Sequence, residues 1–184
     1  MPATAELVPW LENKAVDVIY VVTPSGLHGE IAEQALAAGK HVLTTKPMDV
    51  SVAACDRMIA AADRAERLLA VDFEMRYQDN IRTLRHALDK GFFGRVLSAH
   101  VALKVRRRAD YFQKNGAWRG TRRLAGGGVF ANQFIHHIDM LNILFGLPKN
   151  VRANTWTQDH QIECEDLGCG TLEYENGLVV QILA

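Results

Sequence analysis

Cysteine is scarce in this 184-residue chain: Cys55, Cys164 and Cys169 form no CxxC pair, and their odd number excludes a fully paired disulfide framework. The expected setting is a reducing cytoplasm. Net charge is missing too, since 21 basic residues cancel 21 acidic ones, so no global field draws nucleic acid or an anionic membrane surface. No uncharged apolar run approaches the roughly 20 residues that span a bilayer. The opening MPATAELVPWLENK carries acidic residues and lacks the positive lead into an apolar stretch that marks a secretory signal. Internal repeats, low-complexity tracts and a GxGxxG turn are all absent. What remains, 48% apolar and 23% charged, is ordinary globular composition with enough chain for one or two small domains.

What is present has an α/β rhythm. Val16-Asp17-Val18-Ile19-Tyr20-Val21-Val22 is a β-branched run without alternation, ending at Thr23-Pro24, and reads as a parallel strand covered on both faces. A helix is predicted from about His28 to Ala38, closed by Gly39. The run His41 to Thr45 is a second strand leading into Lys46-Pro47. Ser51 can cap a helix reaching about Arg64, and Leu68 to Phe73 is a third strand. This succession implies adjacent parallel strands in a right-handed α/β layer.

Near residue 76 the pattern changes, so two units are expected, 1–76 and 77–184. A helix from about Asn80 to Lys90 ends at Gly91. Residues 95–105 partly alternate, as a strand with one solvated face does. After Gly126-Gly127-Gly128 a long, mostly apolar helix is predicted to about Phe145. Strands with an Asn176-Gly177 hairpin close the chain. Both ends read as cut, because an open sheet starting at Val16 and a strand stopping at Ala184 leave apolar edges that further chain or partners would cover.

Several residues can carry chemistry. Thr23-Pro24 and Lys46-Pro47 stand at the carboxyl ends of predicted parallel strands, where open α/β sheets bind ligands. A lysine there can exchange a proton or polarise an oxygen, or it is a plain surface lysine. On an ideal helix Asn132, His136 and Asp139 fall at about 0°, 40° and −20°, one face of an otherwise apolar element. A histidine so placed can move a proton near neutral pH, with the amide or carboxylate fixing its tautomer; the alternative is a satisfied core histidine. His137 points about 100° away, toward packing or surface. The glycine triplet either presents amides to an anion or only turns the chain. Arg106-Arg107-Arg108 is a solvated loop or a contact for a phosphate or carboxylate. His136, His137, Asp139 and His160 lack the spacing of helical zinc ligands, and no metal is expected.

Together, Val16–Ile19 through Thr23-Pro24 and His28, Ala35–Leu43 into Lys46-Pro47, Gly91–Gly94, Trp118–Thr121, Gly126–Gly128, Asn132-Gln133 and His136–Asp139 resemble the glucose–fructose oxidoreductase / inositol dehydrogenase family, often called Gfo/Idh/MocA. The resemblance covers nearly the whole chain. It implies the C-terminal half of a Rossmann-type parallel sheet, followed by a partial α+β domain whose open, mainly antiparallel sheet often serves homo-oligomerisation. It further implies NAD or NADP as cofactor and a small carbohydrate, polyol or derivative as substrate. The lysine of the family's EKP motif falls on Lys46, its second-domain histidine on His136, and the Asp or Asn one turn earlier on Asn132, while Asp139 would support the histidine. Thr23, Pro24, His28 and Lys46 would lie beside the cofactor, and Trp118-Arg119 match a pair that in some members reaches it. The chemistry implied is hydride transfer from a secondary alcohol, with the Lys46 ammonium and the His136 imidazole sharing one pocket.

Two departures stand out. Thr45 occupies the usual glutamate position, and the first strand, glycine-rich turn and ribose-reading acid of the family are missing. The chain accordingly reads as an internal fragment or one piece of a split enzyme, and by itself is expected to bind NADH weakly or not at all. The rivals are a regulator of the same fold that binds cofactor or sugar without turnover, and an inactive fragment.

Overall fold

The computed structural model describes residues 6–184, the Asn115 side chain excepted; residues 1–5, on which part of the leader reading rests, lie outside the described residues. A short helix α1 (Val8–Glu12), with proline in its first turn, precedes strand β1 (Val18–Val21). Helix α2 (His28–Ala37), strand β2 (His41–Thr45), helix α3 (Val52–Ala65) and strand β3 (Leu69–Asp72) follow. The three strands are parallel and adjacent in the order β1-β2-β3, with Ile19 beside Val42 and Val42 beside Leu69. Val42 and Thr44 are buried while their neighbours in β2 are half-buried, so the central strand is covered on both faces. Val21, Leu36, Val42 and Met58 form the core between sheet and helices.

Local chemistry sets the boundaries of these elements. The Ser51 hydroxyl accepts a hydrogen bond from the Ala54 amide at 3.2 Å and so caps α3. Gly39 leaves α2 with φ +76°, a conformation that costs glycine little. By contacts, this unit runs to Asp72 and also takes in Arg123–Gly126.

The second unit comprises Phe73–Arg122 and Gly127–Ala184. It holds helix α4 (Asp79–Asp89), strand β4 (Ser98–Ala102), short helix α5 (Ala109–Gln113), the start of the four-residue helix α6 (Arg122–Ala125), helix α7 (Ile135–Phe145) and strands β5 (Asn150–Trp156), β6 (Leu167–Glu173) and β7 (Val179–Leu183). The sheet order is β4-β7-β6-β5, with β4 parallel to β7 and the other neighbours antiparallel. One face is dry: Phe134, Leu141, Leu172, Val180 and Ile182 are buried together. The other face is open, and every residue of β5 is exposed.

The single long helix expected after the glycine triplet is divided. Val129–Gln133 forms a π turn, closed by Phe134 N donating to Val129 O at 2.8 Å, and α7 starts only at Ile135. Glu165 takes over the first amides: its carbonyl receives Val129 N at 2.9 Å and its Oε1 receives Phe130 N at 3.2 Å. The wider turn breaks the uniform 100° step on which the common face of Asn132, His136 and Asp139 was calculated.

Candidate functional site

In the first unit the candidate groups gather at the carboxyl rim of the parallel sheet. Thr23 and Pro24 follow β1, and Lys46 follows β2. His28 is fully buried, and its ring spans the two strand ends: Nδ1 lies 2.9 Å from Pro47 O and Nε2 lies 2.9 Å from Thr23 O. One bond further along, Gly29 N donates to Asp49 Oδ2 at 2.9 Å, and Asp49 Oδ1 accepts Val50 N at 2.7 Å. The loop that presents half-buried Lys46 is therefore pinned to the start of α2 at two points. The Lys46–Pro47 peptide is cis. His28 was expected beside the cofactor; with both ring nitrogens engaged and no exposed surface, it holds the rim in shape. The Thr23 hydroxyl is buried and has no hydrogen-bond partner.

Gly26 and Gly126 allow backbone to close on this rim. A Cβ on Gly26 would sit 2.4 Å from Arg123 O, and one on Gly126 would sit 2.7 Å from the Val50 Cβ. The glycine triplet thus serves to turn the chain, and with Glu165 on the amides of Val129 and Phe130 it offers no anion cradle there.

In the second unit His136 and Asp139 lie on α7. The His136 Nδ1 is 3.6 Å from Glu74 Oε2, its side chain is 12% exposed, and the Phe73 ring meets it edge-on at 6.2 Å. Asp139 was expected to support the histidine. Instead Arg76 takes both of its oxygens, Nε to Oδ2 at 2.8 Å and Nη2 to Oδ1 at 2.5 Å. That pairing holds the Arg76 guanidinium above its usual pKa. The Phe134 ring stacks on His137 at 5.0 Å, and burial pushes the His137 imidazole down, which keeps it neutral. His137 belongs to the packing.

Asn132 turns elsewhere. Its Nδ2 donates to Gly127 O at 2.8 Å, and the residue lines a cavity of about 60 Å³ with Arg107, Tyr111, Arg119, Gln133 and His160. The arginine run divides here: Arg106 and Arg108 have side chains 85% and 90% exposed, whereas Arg107 turns inward and is half-buried. Arg107 Nη2 donates to Gln133 Oε1 at 2.9 Å, and Gln133 Nε2 donates to the Tyr111 hydroxyl at 2.9 Å. The Arg107 and Arg119 guanidinium carbons lie 4.9 and 5.0 Å from the centre of the Tyr111 ring, and Arg119 also covers Trp118 at 4.7 Å.

A histidine–carboxylate pair closes one side of this cavity. His160 Nδ1 lies 2.9 Å from Asp166 Oδ2, and His160 Nε2 lies 2.9 Å from Arg107 O. Both neighbours are acceptors, so only the doubly protonated ring satisfies both. Burial alone would lower its pKa, but the bonds to Asp166 and to the Arg107 carbonyl outweigh it and hold the imidazole above its ordinary value. Burial would likewise raise Asp166, yet the amides of Gln158 and Asp159 and the His160 ring hold its carboxyl low.

Sequence reasoning singled out Trp118-Arg119 and weighed Arg107 and His160, but it passed over Tyr111, Gln133 and Asp166 as site residues. The pattern WRGT with a lone inward arginine upstream carried no periodic signal for them. Among the described residues no group of three or more His, Cys, Asp or Glu could hold a metal ion.

Known families and structures match both halves of the chain. Residues 1–73 match the family described as an oxidoreductase family with an NAD-binding Rossmann fold, and residues 81–184 match the GFO/IDH/MocA C-terminal domain. The chain is 32% identical over 177 residues to an NADP-dependent scyllo-inositol 2-dehydrogenase of Bacillus subtilis, covering 92% of this chain and 47% of that protein. It is 31% identical over 172 residues to 1-carboxy-3-chloro-3,4-dihydroxycyclohexa-1,5-diene dehydrogenase of Comamonas testosteroni, covering 93% of this chain and 42% of the relative. Among solved structures, the WlbA dehydrogenase of Bordetella pertussis superposes with a TM-score of 0.93 at 32% identity, covering 98% of this chain and 52% of the other. The chain thus spans about half the length of the relatives it matches.

Proposed function

The chain belongs to the GFO/IDH/MocA oxidoreductase family, and from that premise we propose that it serves an NAD(P)-dependent dehydrogenase acting on a secondary alcohol of a sugar, polyol or sugar derivative. The observation that carries the reading is Lys46, set at the end of β2 in a loop pinned through His28 and Asp49. A cation held in a fixed loop at the rim of a parallel sheet suits polarisation of a hydroxyl or carbonyl oxygen. The relatives support the substrate class: one acts on scyllo-inositol, and another is solved with NADH and UDP-GlcNAcA.

A nicotinamide ring supplies the hydride acceptor when NAD or NADP is bound. The residues at hand fit part of such a site, since the buried Thr23 hydroxyl has an unused donor and acceptor beside Pro24 and Lys46. His28 positions that rim. Lys46 and His136 handle the hydroxyl proton and polarise the substrate oxygen. His136 faces Glu74, with Nδ1 3.6 Å from Oε2, and its imidazole is a proton carrier in this reading. Asn132 and Asp139 act as positioning residues, Asn132 through Gly127 and Asp139 through Arg76. Trp118 contributes the cofactor contact of its pair, and the Arg119 guanidinium stacked on it serves the substrate.

Residues 1–76 serve cofactor binding in this reading, and 77–184 serve substrate and assembly. The open face of the second sheet, where Trp156, Leu167 and Val179 are exposed, suits homo-oligomerisation. Three unpaired cysteines suit the cytoplasm. No described helix is long and apolar enough to cross a membrane. Turnover of a polyol and sugar panel with NAD and NADP by the full-length protein tests the reading. Reduction of either cofactor supports it, whereas ligand binding without turnover indicates a regulator.

A further inference from the structure

The cavity of the second unit has more positive donors than its own acceptors use. Arg107 Nε is buried and unpartnered, while Nη2 donates to Gln133 Oε1. The Arg119 guanidinium is held by the ring faces of Tyr111 and Trp118, which fix its place and leave its N–H edge for another group. His160 adds a third cation, bonded on both sides.

Two carboxylates, Glu165 and Asp166, line the cavity and already accept hydrogen bonds. Asp166 receives the amides of Gln158, Asp159 and His160 at 2.7, 2.9 and 2.9 Å, as well as the His160 ring. Glu165 Oε1 receives Phe130 N. A buried guanidinium donor without an acceptor costs stability unless a ligand supplies one. The free volume, about 60 Å³, admits a few water-sized groups and not a whole sugar ring.

We propose that this cavity is an anion subsite, in which Arg107 and Arg119 bind the carboxylate of the substrate, so that the alcohol oxidised belongs to a sugar acid or its derivative. The planar fork of Arg107 suits a carboxylate edge, and Gln133 holds that fork in place. The assignment of this anion to a substrate rests on the dehydrogenase reading above; the anion site itself does not.

The test uses the full-length protein in two assays. Thermal shift with D-glucuronate and D-gluconate, against D-glucose and D-glucitol and against inorganic phosphate, reads the subsite without turnover. Initial rates on the same acid and neutral pairs, with NAD and NADP, read the substrate. Carboxylates should raise the melting temperature where their neutral counterparts do not, and kcat/KM should favour the acids at least about 30-fold. Arg107→Met should lower that ratio at least about tenfold, and Arg119→Gln, which keeps a polar side chain at the stacked position, should lower it in the same direction. A ratio near one in the wild type, or one unchanged in both variants, overturns the subsite while dehydrogenation of neutral sugars leaves the function intact. A carboxylate-selective shift lost in Arg107→Met, with no turnover of any compound, keeps the subsite and refutes the dehydrogenase. A shift produced by phosphate alone overturns the carboxylate assignment.

Discussion

Arg76 holds both oxygens of Asp139, with Nε to Oδ2 at 2.8 Å, yet the two partners stand in unlike surroundings: the Arg76 side chain is 48% exposed and that of Asp139 only 9%. Their loss is therefore unequal. Asp139→Ala releases an arginine that water can solvate and should cost about 1–2 kcal/mol. Arg76→Ala strands a buried carboxylate and should cost more, about 3 kcal/mol. Urea denaturation of the two variants checks the order, and equal losses would show that the pair does not anchor α7.

The His160–Asp166 pair makes stability depend on pH in two directions. Asp166 is held low, so its contribution is present above the ordinary carboxylate range and is lost as pH falls through its depressed value. His160 is held high, so its contribution is complete below the ordinary imidazole range and is lost as pH rises through its raised value. Melting temperature against pH should show a plateau between those ranges with a fall on each side. Asp166→Asn should flatten the alkaline fall, because the group that raises His160 has lost its charge.

Two glycines should respond differently to alanine. Gly91 has φ +71° and open space around its missing Cβ, so Gly91→Ala should cost about 1 kcal/mol of backbone strain. At Gly128 the added Cβ would sit 1.7 Å from the Glu165 carbonyl oxygen. Gly128→Ala should cost about 3 kcal/mol or more and loosen the π turn that carries Asn132. Comparable melting temperatures for the two variants would contradict this account of the turn.

The parallel sheet was the most legible part of the chain. His41 to Thr45 reads as a strand and forms one, and Ser51 reads as a cap and its hydroxyl accepts the Ala54 amide as a cap does. Such signals are local, carried by β-branched runs and a single capping residue. The interrupted helix was not legible, because the group that captures its first amides, Glu165, lies far along the chain. For the same reason Asp139 looked available to His136: its true partner, Arg76, is set by packing. Arg107 was hidden among three consecutive arginines, since identical side chains in a loop carry no periodicity to tell the inward one from its neighbours.

Lys46 is the residue on which the chemical account turns, and its removal is the most direct test. In the full-length protein, Lys46→Met should lower kcat on the best sugar or polyol by at least about 100-fold while cofactor Kd stays within about threefold. A variant whose kcat remained within about threefold of the wild type would contradict a proton-handling role for Lys46.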